Sequence, residues 1–391
     1  MGVAQKTNAY PKLRTRPTWA EVSLKQLQEN YRMVRQHLPQ RVKILSVVKA
    51  DAYGHGLEQV SKVLAGAGTD WFGVTSADEG VELRESGIKQ PILLLTGFWK
   101  GELEALSEYD LTPAIYADDQ LAALHEWGKE TGRKMRFHLK VNTGMGRLGL
   151  HWQDVARFLA LYRTLEQVEM EGLFTHLASA EDYMSEQTGQ QVERFESVLA
   201  DFRQAGVEPR YVHVANSAAI AGRPNTWGNM VRPGALLYGI QVPLKLPPGM
   251  KAESVSLPVK NILTWKSRII ALKEVPAGTP LGYSADYVTE KASRVATIPA
   301  GYADGLKRSL SNRGRTIVRN RYAPIIGNIS MDLTLLDVTE IPGAAVGDEV
   351  ILIGESEHCS VTPAEISALT RTVPYDVLCA VSKRVPRIYD L

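Results

Sequence analysis

Between about residue 40 and residue 235 the chain repeats one alternation eight times, a short β-branched or apolar run followed by a longer segment of helical periodicity. The runs are KILSVV (43–48), WFGVT (71–75), PILLLT (91–96), LTPAIY (111–116), MRFHLKVN (135–142), EMEGLF (169–174), YVHVAN (211–216) and NMVR (229–232). Runs of this kind suit parallel strands covered on both faces, and the segments between them, such as DQLAALHEWGKE and QVERFESVLADFRQAG, supply the helical crossovers that parallel neighbours need. Eight such units predict an α/β chain with a (β/α)8 barrel, an open doubly wound sheet being the alternative.

A barrel of this kind does not use up 391 residues, so the length predicts a second domain. The rhythm changes at the Pro-rich stretch PLKLPPGM (243–250), and from 251 to 391 short strand-like runs are separated by Gly, Pro and Asn turns. They include ILTWKSRIIAL, SRVATIPA, RTIVRN, YAPIIGNISM, TLLDV and DEVILIG, with one helix at TPAEISALT capped by Thr362. The expected organisation is a flexible tail over 1–15, the barrel over 16–250 and a mostly β domain over 251–391.

Net charge is +2, from 45 basic and 43 acidic residues, and no patch of one sign points to nucleic acid or a membrane surface. No apolar run reaches the length of a membrane span, and the N-terminus lacks the apolar core of a signal peptide. Only Cys359 and Cys379 are present, too few for a disulfide framework or a thiolate metal cluster, so a cytoplasmic protein acting on a small molecule is expected.

In SVVKADAYGHG (46–56) an apolar strand runs straight into Lys49. The C-terminal end of a barrel strand faces the active site, and a lysine desolvated there has a lowered pKa and can attack an aldehyde. VVKADAYGHG resembles the lysine signature of alanine racemases that use pyridoxal 5′-phosphate (PLP). The resemblance extends from Thr18 to Tyr389 through LKVNTGMGRLG, FTHLASAED, HVANSAA, VRPGALLYG, LGYSADY, IPAGYADG, ISMD and VPYD, in that order.

The resemblance implies a PLP enzyme of barrel-plus-β architecture, working as a homodimer with shared active sites and no metal. Lys49, carrying PLP as a Schiff base, and Tyr283 of the partner subunit are implied to be the two bases that racemise alanine. PLP delocalises the carbanion left when the Cα proton departs, and inversion then needs a base on each face. A phenol needs its anion stabilised before it can act near neutrality, and His176 and Arg232 are the implied stabilisers. Arg232 is also implied to face the pyridine nitrogen and keep it unprotonated, oriented by His213. The implied phosphate cup is Ser217 with the amides of Gly234 and Ala235, Tyr53 and Tyr375. Arg147 is implied to meet the phenolic oxygen and the substrate carboxylate, held by a carbamylated Lys140. Tyr302, Met331 and Asp332 are implied to contact substrate. Where many members carry Cys and Arg, this chain has Ser330 and Asn328, which bears on substrate range.

GMGRLG (144–149) also fits G-x-G-x-x-G, but it follows the fifth strand and lacks an acid at a strand end about 20 residues on, so a dinucleotide site fails on context. The alternatives are a serine or broad-specificity racemase, a PLP decarboxylase and a non-catalytic PLP carrier. The decarboxylases' cysteine motif is missing, and the carriers lack a second domain.

Overall fold

The computed structural model describes residues 16–390, so the tail expected over 1–15 lies outside the described residues. It divides into two compact units, Ser23–Ile262 and Leu263–Asp390, the latter together with the segment ending at Val22. The first described strand is β1 (Thr18–Ser23), and the Ser23 hydroxyl then accepts the Gln26 amide at 3.2 Å to cap helix Leu24–His37.

The unit Ser23–Ile262 contains the eight expected strands: β2 (Lys43–Val47), β3 (Trp71–Val74), β4 (Ile92–Leu94), β5 (Leu111–Ile115), β6 (Met135–Asn142), β7 (Val168–Phe174), β8 (Tyr211–His213) and β9 (Met230–Val231). They pair in parallel in chain order, and β9 returns to β2 with Met230 opposite Lys43. Between β8 and β9 the Asn229 amide donates to the Val212 carbonyl at 3.1 Å, and the Asn229 side-chain oxygen accepts the Val212 amide at 2.7 Å. The result is a near-closed eight-stranded barrel, which decides against the open sheet. Leu45, Val47, Trp71, Leu93 and Met230 pack together inside it, each burial contributing roughly 1.5–3 kcal/mol.

In the other unit, besides three two-residue strands, the strands are β10 (Leu263–Arg268), β11 (Ala271–Val275), β12 (Ser293–Ile298), β13 (Arg315–Val318), β14 (Arg321–Ile326), β15 (Thr334–Asp337), β16 (Glu349–Glu355) and β17 (Arg387–Asp390). Their order is β11-β12-β15-β14-β13-β16-β10-β1-β17. The expected helix runs over Pro363–Thr370, with the Thr362 hydroxyl accepting the Glu365 amide at 3.1 Å.

The domain limits differ from expectation at both ends. Strand β1 pairs antiparallel with β10, Thr18 opposite Ser267, so it belongs to the β unit and not to a barrel starting at 16. Its alternate buried residues mark a sheet with one covered face, unlike β2, which is buried continuously from Ile44 to Val47. The Pro-rich stretch is not the boundary either. Lys245 lies along the barrel segment at Asp182, its carbonyl accepting the Tyr183 amide at 2.8 Å, and the barrel unit continues to Ile262.

Candidate active site

Lys49 stands two residues beyond β2, at the C-terminal rim of the barrel. The next four residues, Ala50 to Tyr53, all have φ between +52° and +56°, a left-handed turn built from L-residues. Such a conformation costs roughly 1–2 kcal/mol per residue, so the surroundings must impose it. The Glu79 carboxylate accepts the amides of Ala50 at 2.6 Å and Thr75 at 2.7 Å, tying the turn to the end of β3. The Asp51 carboxylate accepts the Leu57 amide at 2.8 Å. Buried Tyr238 donates its hydroxyl to the Val47 carbonyl at 2.9 Å while its ring stacks on Tyr53 and His55.

Arg232, just past β9, is only 4% exposed. Its guanidinium donates to His213 Nδ1 at 3.0 Å and to the carbonyls of His213, Thr175 and Val214 at 2.7, 2.7 and 3.0 Å, with His176 Nδ1 at 3.4 Å. Burial pulls its pKa down to about 9, which leaves it a cation at neutral pH. Burial and the Arg232 charge push His176 down to about 3 and His213 well below its ordinary value, so both imidazoles are neutral.

Lys140, on β6 and 6% exposed, donates to the Leu95 carbonyl at 3.1 Å. Burial, followed by Arg232, Arg147 and Lys49, lowers its pKa to about 8. The charges acting on His176 are likewise all cationic, from Arg232, Arg147, Lys140 and Lys49. A barrel mouth with this concentration of cations is built for an anionic ligand. Lys140, Asn142, Arg147, Thr175 and His176 line one small cleft there. The GMGRLG segment is shaped by the Asn142 side chain, which accepts the Gly144 and Gly146 amides at 3.1 and 3.0 Å. It leads into a two-residue strand, Leu150–His151, paired with β6, not into a helix, and so lacks the dinucleotide-binding context.

Ser217 is the first residue of helix Ser217–Gly222, but its cap is Asn216, whose side chain accepts the Ala219 amide at 3.2 Å. Ser217 Oγ is therefore available to accept the Gly234 and Leu236 amides at 3.0 and 3.3 Å. A Cβ at position 234 would stand 2.6 Å from the Tyr53 hydroxyl, so glycine is what lets the tyrosine, the serine and the amides converge. Ala235, the next residue, is buried.

The remaining expected residues lie in the β unit. Tyr283, Tyr302 and Met331 line one open groove of about 810 Å³ with Arg308, Ile329 and Ser330. Tyr283 is 70% exposed, and its main chain is held from below, its carbonyl accepting from Asn328 Nδ2 at 3.0 Å. Asn328 also contacts Asp286, so it ties the loop that carries the tyrosine. The Tyr302 and Ala303 amides donate to the carbonyls of Ser330 and Met331, each at 3.0 Å. Fully buried Asp304 joins Arg16 and accepts the Gly301 amide at 2.9 Å, while Arg384 pairs with Asp332 at 2.7 Å. Tyr375 stands on helix Pro374–Cys379 of the same unit, away in sequence and unit from the barrel residues with which it was grouped.

Sequence reasoning missed Glu79, Tyr238 and Asn328 as supports of the two expected bases. The local sequence does not reveal these supporting roles, because their partners lie 29, 191 and 45 positions away. A third histidine, His138, was also missed, although its spacing from Lys140 on β6 puts both on one face.

Residues 22–242 match the sequence model of the alanine racemase N-terminal domain, and residues 262–389 that of the C-terminal domain. An alanine racemase of Halothermothrix orenii is 42% identical over 375 residues, covering 96% of this chain and 97% of that protein. Among solved structures, alanine racemase of Clostridium difficile 630 superposes with a TM-score of 0.89 at 34% identity, covering 96% of each chain. The alanine racemase from Bartonella henselae with covalently bound pyridoxal phosphate superposes with a TM-score of 0.85 at 29% identity, covering 96% of this chain and 99% of that one.

Proposed function

The chain belongs to the alanine racemase family of isomerases, and we propose that it interconverts L- and D-alanine with PLP bound at Lys49. The observation that carries this reading is the convergence of Lys49, Lys140, Arg147 and Arg232 on neutral His176 at the barrel mouth. Those residues fit the cofactor: a phosphate, a phenolic oxygen and a substrate carboxylate are the anions that such a set accepts. When bound, PLP supplies an electron sink for the charge left at Cα.

The roles follow from the groups each residue offers. Ser217, the Gly234 and Ala235 amides and Tyr53 anchor the phosphate, and Arg147 takes the phenolic oxygen and the carboxylate. Arg232 can only donate, so a ring nitrogen facing it keeps its lone pair unprotonated, which favours proton return to Cα. Lys49 Nζ moves the proton on one face of Cα. Tyr283 Oη of the partner subunit moves it on the other, with Tyr302, Met331 and Asp332 bounding the substrate. Tyr283 projects from the β unit, and a homodimer sharing its sites would bury that side chain and exclude water from the reacting carbon. The lowered pKa of Lys140 leaves an amine that CO2 can carbamylate, turning one of the repelling cations into an anion beside Arg147. Among the described residues no helix is long and apolar enough to cross a membrane, and Cys359 and Cys379 form no disulfide. We place the reaction in the cytoplasm.

Chiral analysis of the purified protein with PLP and L-alanine, L-serine and L-lysine in parallel tests the activity and its substrate. D-Alanine forming fastest is the expected result. Fastest turnover of serine or lysine would assign a broader racemase, and no turnover of any of the three would refute the reading.

A further inference from the structure

Behind Arg232 the hydrogen-bond chain does not stop at His213. A guanidinium only donates, so His213 Nδ1 must be the acceptor of the 3.0 Å contact from Arg232. The neutral ring then carries its proton on Nε2, which lies 2.9 Å from His138 Nδ1. That nitrogen must accept in turn, leaving the His138 proton on Nε2. One fixed cation thus sets the proton positions of two buried imidazoles. Burial, Arg232 and Arg136 push His138 down to about 3, so it accepts as a neutral ring.

The barrel makes room for this histidine at some cost. A Cβ at Gly172, on β7, would fall 2.4 Å from His138 Nδ1, so any side chain there would displace the ring. Trp71 and Tyr211 flank it at 5.1 and 6.0 Å between centroids. An imidazole in this apolar layer is a poor choice for packing alone, because its second N–H finds no acceptor among the described residues.

We propose that His138 is a positioning residue for the cofactor-facing arginine, acting through His213 to fix the direction of the Arg232 guanidinium. The proposal rests on the reading of Arg232 given above, and its first test needs neither cofactor nor turnover. Nitrogen-15 NMR of histidine-labelled wild-type apoprotein should find His213 protonated on Nε2 alone, with a coupling across the bond to His138 Nδ1. Protonation of His213 on Nδ1, or on both nitrogens, would overturn the proposal without a variant having to fold.

Two substitutions then separate positioning from packing. Asn in His138→Asn can put an acceptor oxygen at the Nδ1 position, whereas His138→Leu cannot. In the apoprotein, His138→Leu should broaden or split the His213 resonances, and His138→Asn should keep the wild-type pattern. In the PLP enzyme, His138→Leu should lower kcat by about ten- to a hundredfold with KM for alanine nearly unchanged, and His138→Asn should recover most of that loss. Equal losses in both variants, or an unchanged kcat in His138→Leu, would overturn the positioning role. A wild-type protein that racemises nothing would instead defeat the proposed function and leave the NMR result standing.

Discussion

One oxygen of the Glu79 carboxylate lies 2.6 Å from the amide of Ala50, the residue that follows Lys49. Because Ala50 opens a left-handed turn of four residues, this bond and the Thr75 bond hold a conformation that the chain would otherwise leave. A hydrogen bond to a charged acceptor contributes roughly 1.5–3 kcal/mol, so Glu79→Ala should weaken PLP binding by about tenfold or more. Fluorescence titration of apoprotein with PLP measures it. Wild-type affinity in the variant would mean that Tyr238 and Asp51 hold the turn without Glu79.

Arg232 sets the reaction type in this account, through the protonation of the ring nitrogen. Arg232→Glu should protonate that nitrogen and slow racemisation by about a hundredfold or more, the scale of losing a preorganised charge in a buried site. The ring-nitrogen shift of 15N-labelled PLP reads the first effect directly. An unchanged shift together with an unchanged rate would remove Arg232 from this role.

The pKa of about 8 at Lys140 links folding to pH and to CO2. The folded value lies below the ordinary lysine value, so between the two the unfolded chain binds the extra proton and stability rises with pH. Below pH 8 the burial penalty of the ammonium is present in full, and carbamylation removes it. Added bicarbonate near neutrality should therefore raise the melting temperature of CO2-free protein, and Lys140→Ala should abolish the response. A bicarbonate effect that persists in Lys140→Ala would place the modification elsewhere.

Asp304 is fully buried, pairs with Arg16 and, at 3.4 Å, with Arg384, and accepts the Gly301 amide at 2.9 Å. Breaking one partner of a buried ion pair typically costs about 3–5 kcal/mol, so Asp304→Asn should lower stability on that scale in denaturant unfolding. Arg384→Ala removes the exposed pair with Asp332 and a longer contact to Asp304 at 3.4 Å, and should cost less because Arg16 still pairs with Asp304. Similar losses in the two variants would contradict this ranking.

Much of the barrel was legible because its strands are short apolar or alternating runs set between helical segments: MRFHLKVN, which alternates apolar and polar residues, became β6 over Met135–Asn142 without adjustment. The Lys49 rim position followed from that pattern, and the alanine racemase family from the motif resemblance. What the sequence concealed depends on partners distant in the chain. The alternation in TWAEVS fits any half-covered sheet, and only its pairing with β10 gives β1 to the second unit. KADAY gives no sign of left-handed backbone, because the handedness is imposed by Glu79 and Tyr238. In NSAA the cap is Asn216 and not Ser217, a choice that local composition leaves open and that the Gly234 and Leu236 amides resolve.

The central claim is that Lys49 and Tyr283 act as two bases of one site drawn from two chains. Homodimers of Lys49→Ala and of Tyr283→Phe should each be nearly inactive. A mixed dimer would hold one site with both bases intact and one with neither. After subunit exchange at equal amounts about half of the dimers are mixed, so alanine racemisation should return to roughly a quarter of the wild-type rate. Recovery at that level is the expected result. Mixtures that stay as inactive as their parents, with exchange demonstrated independently, would mean that both bases come from one chain and would contradict the shared site.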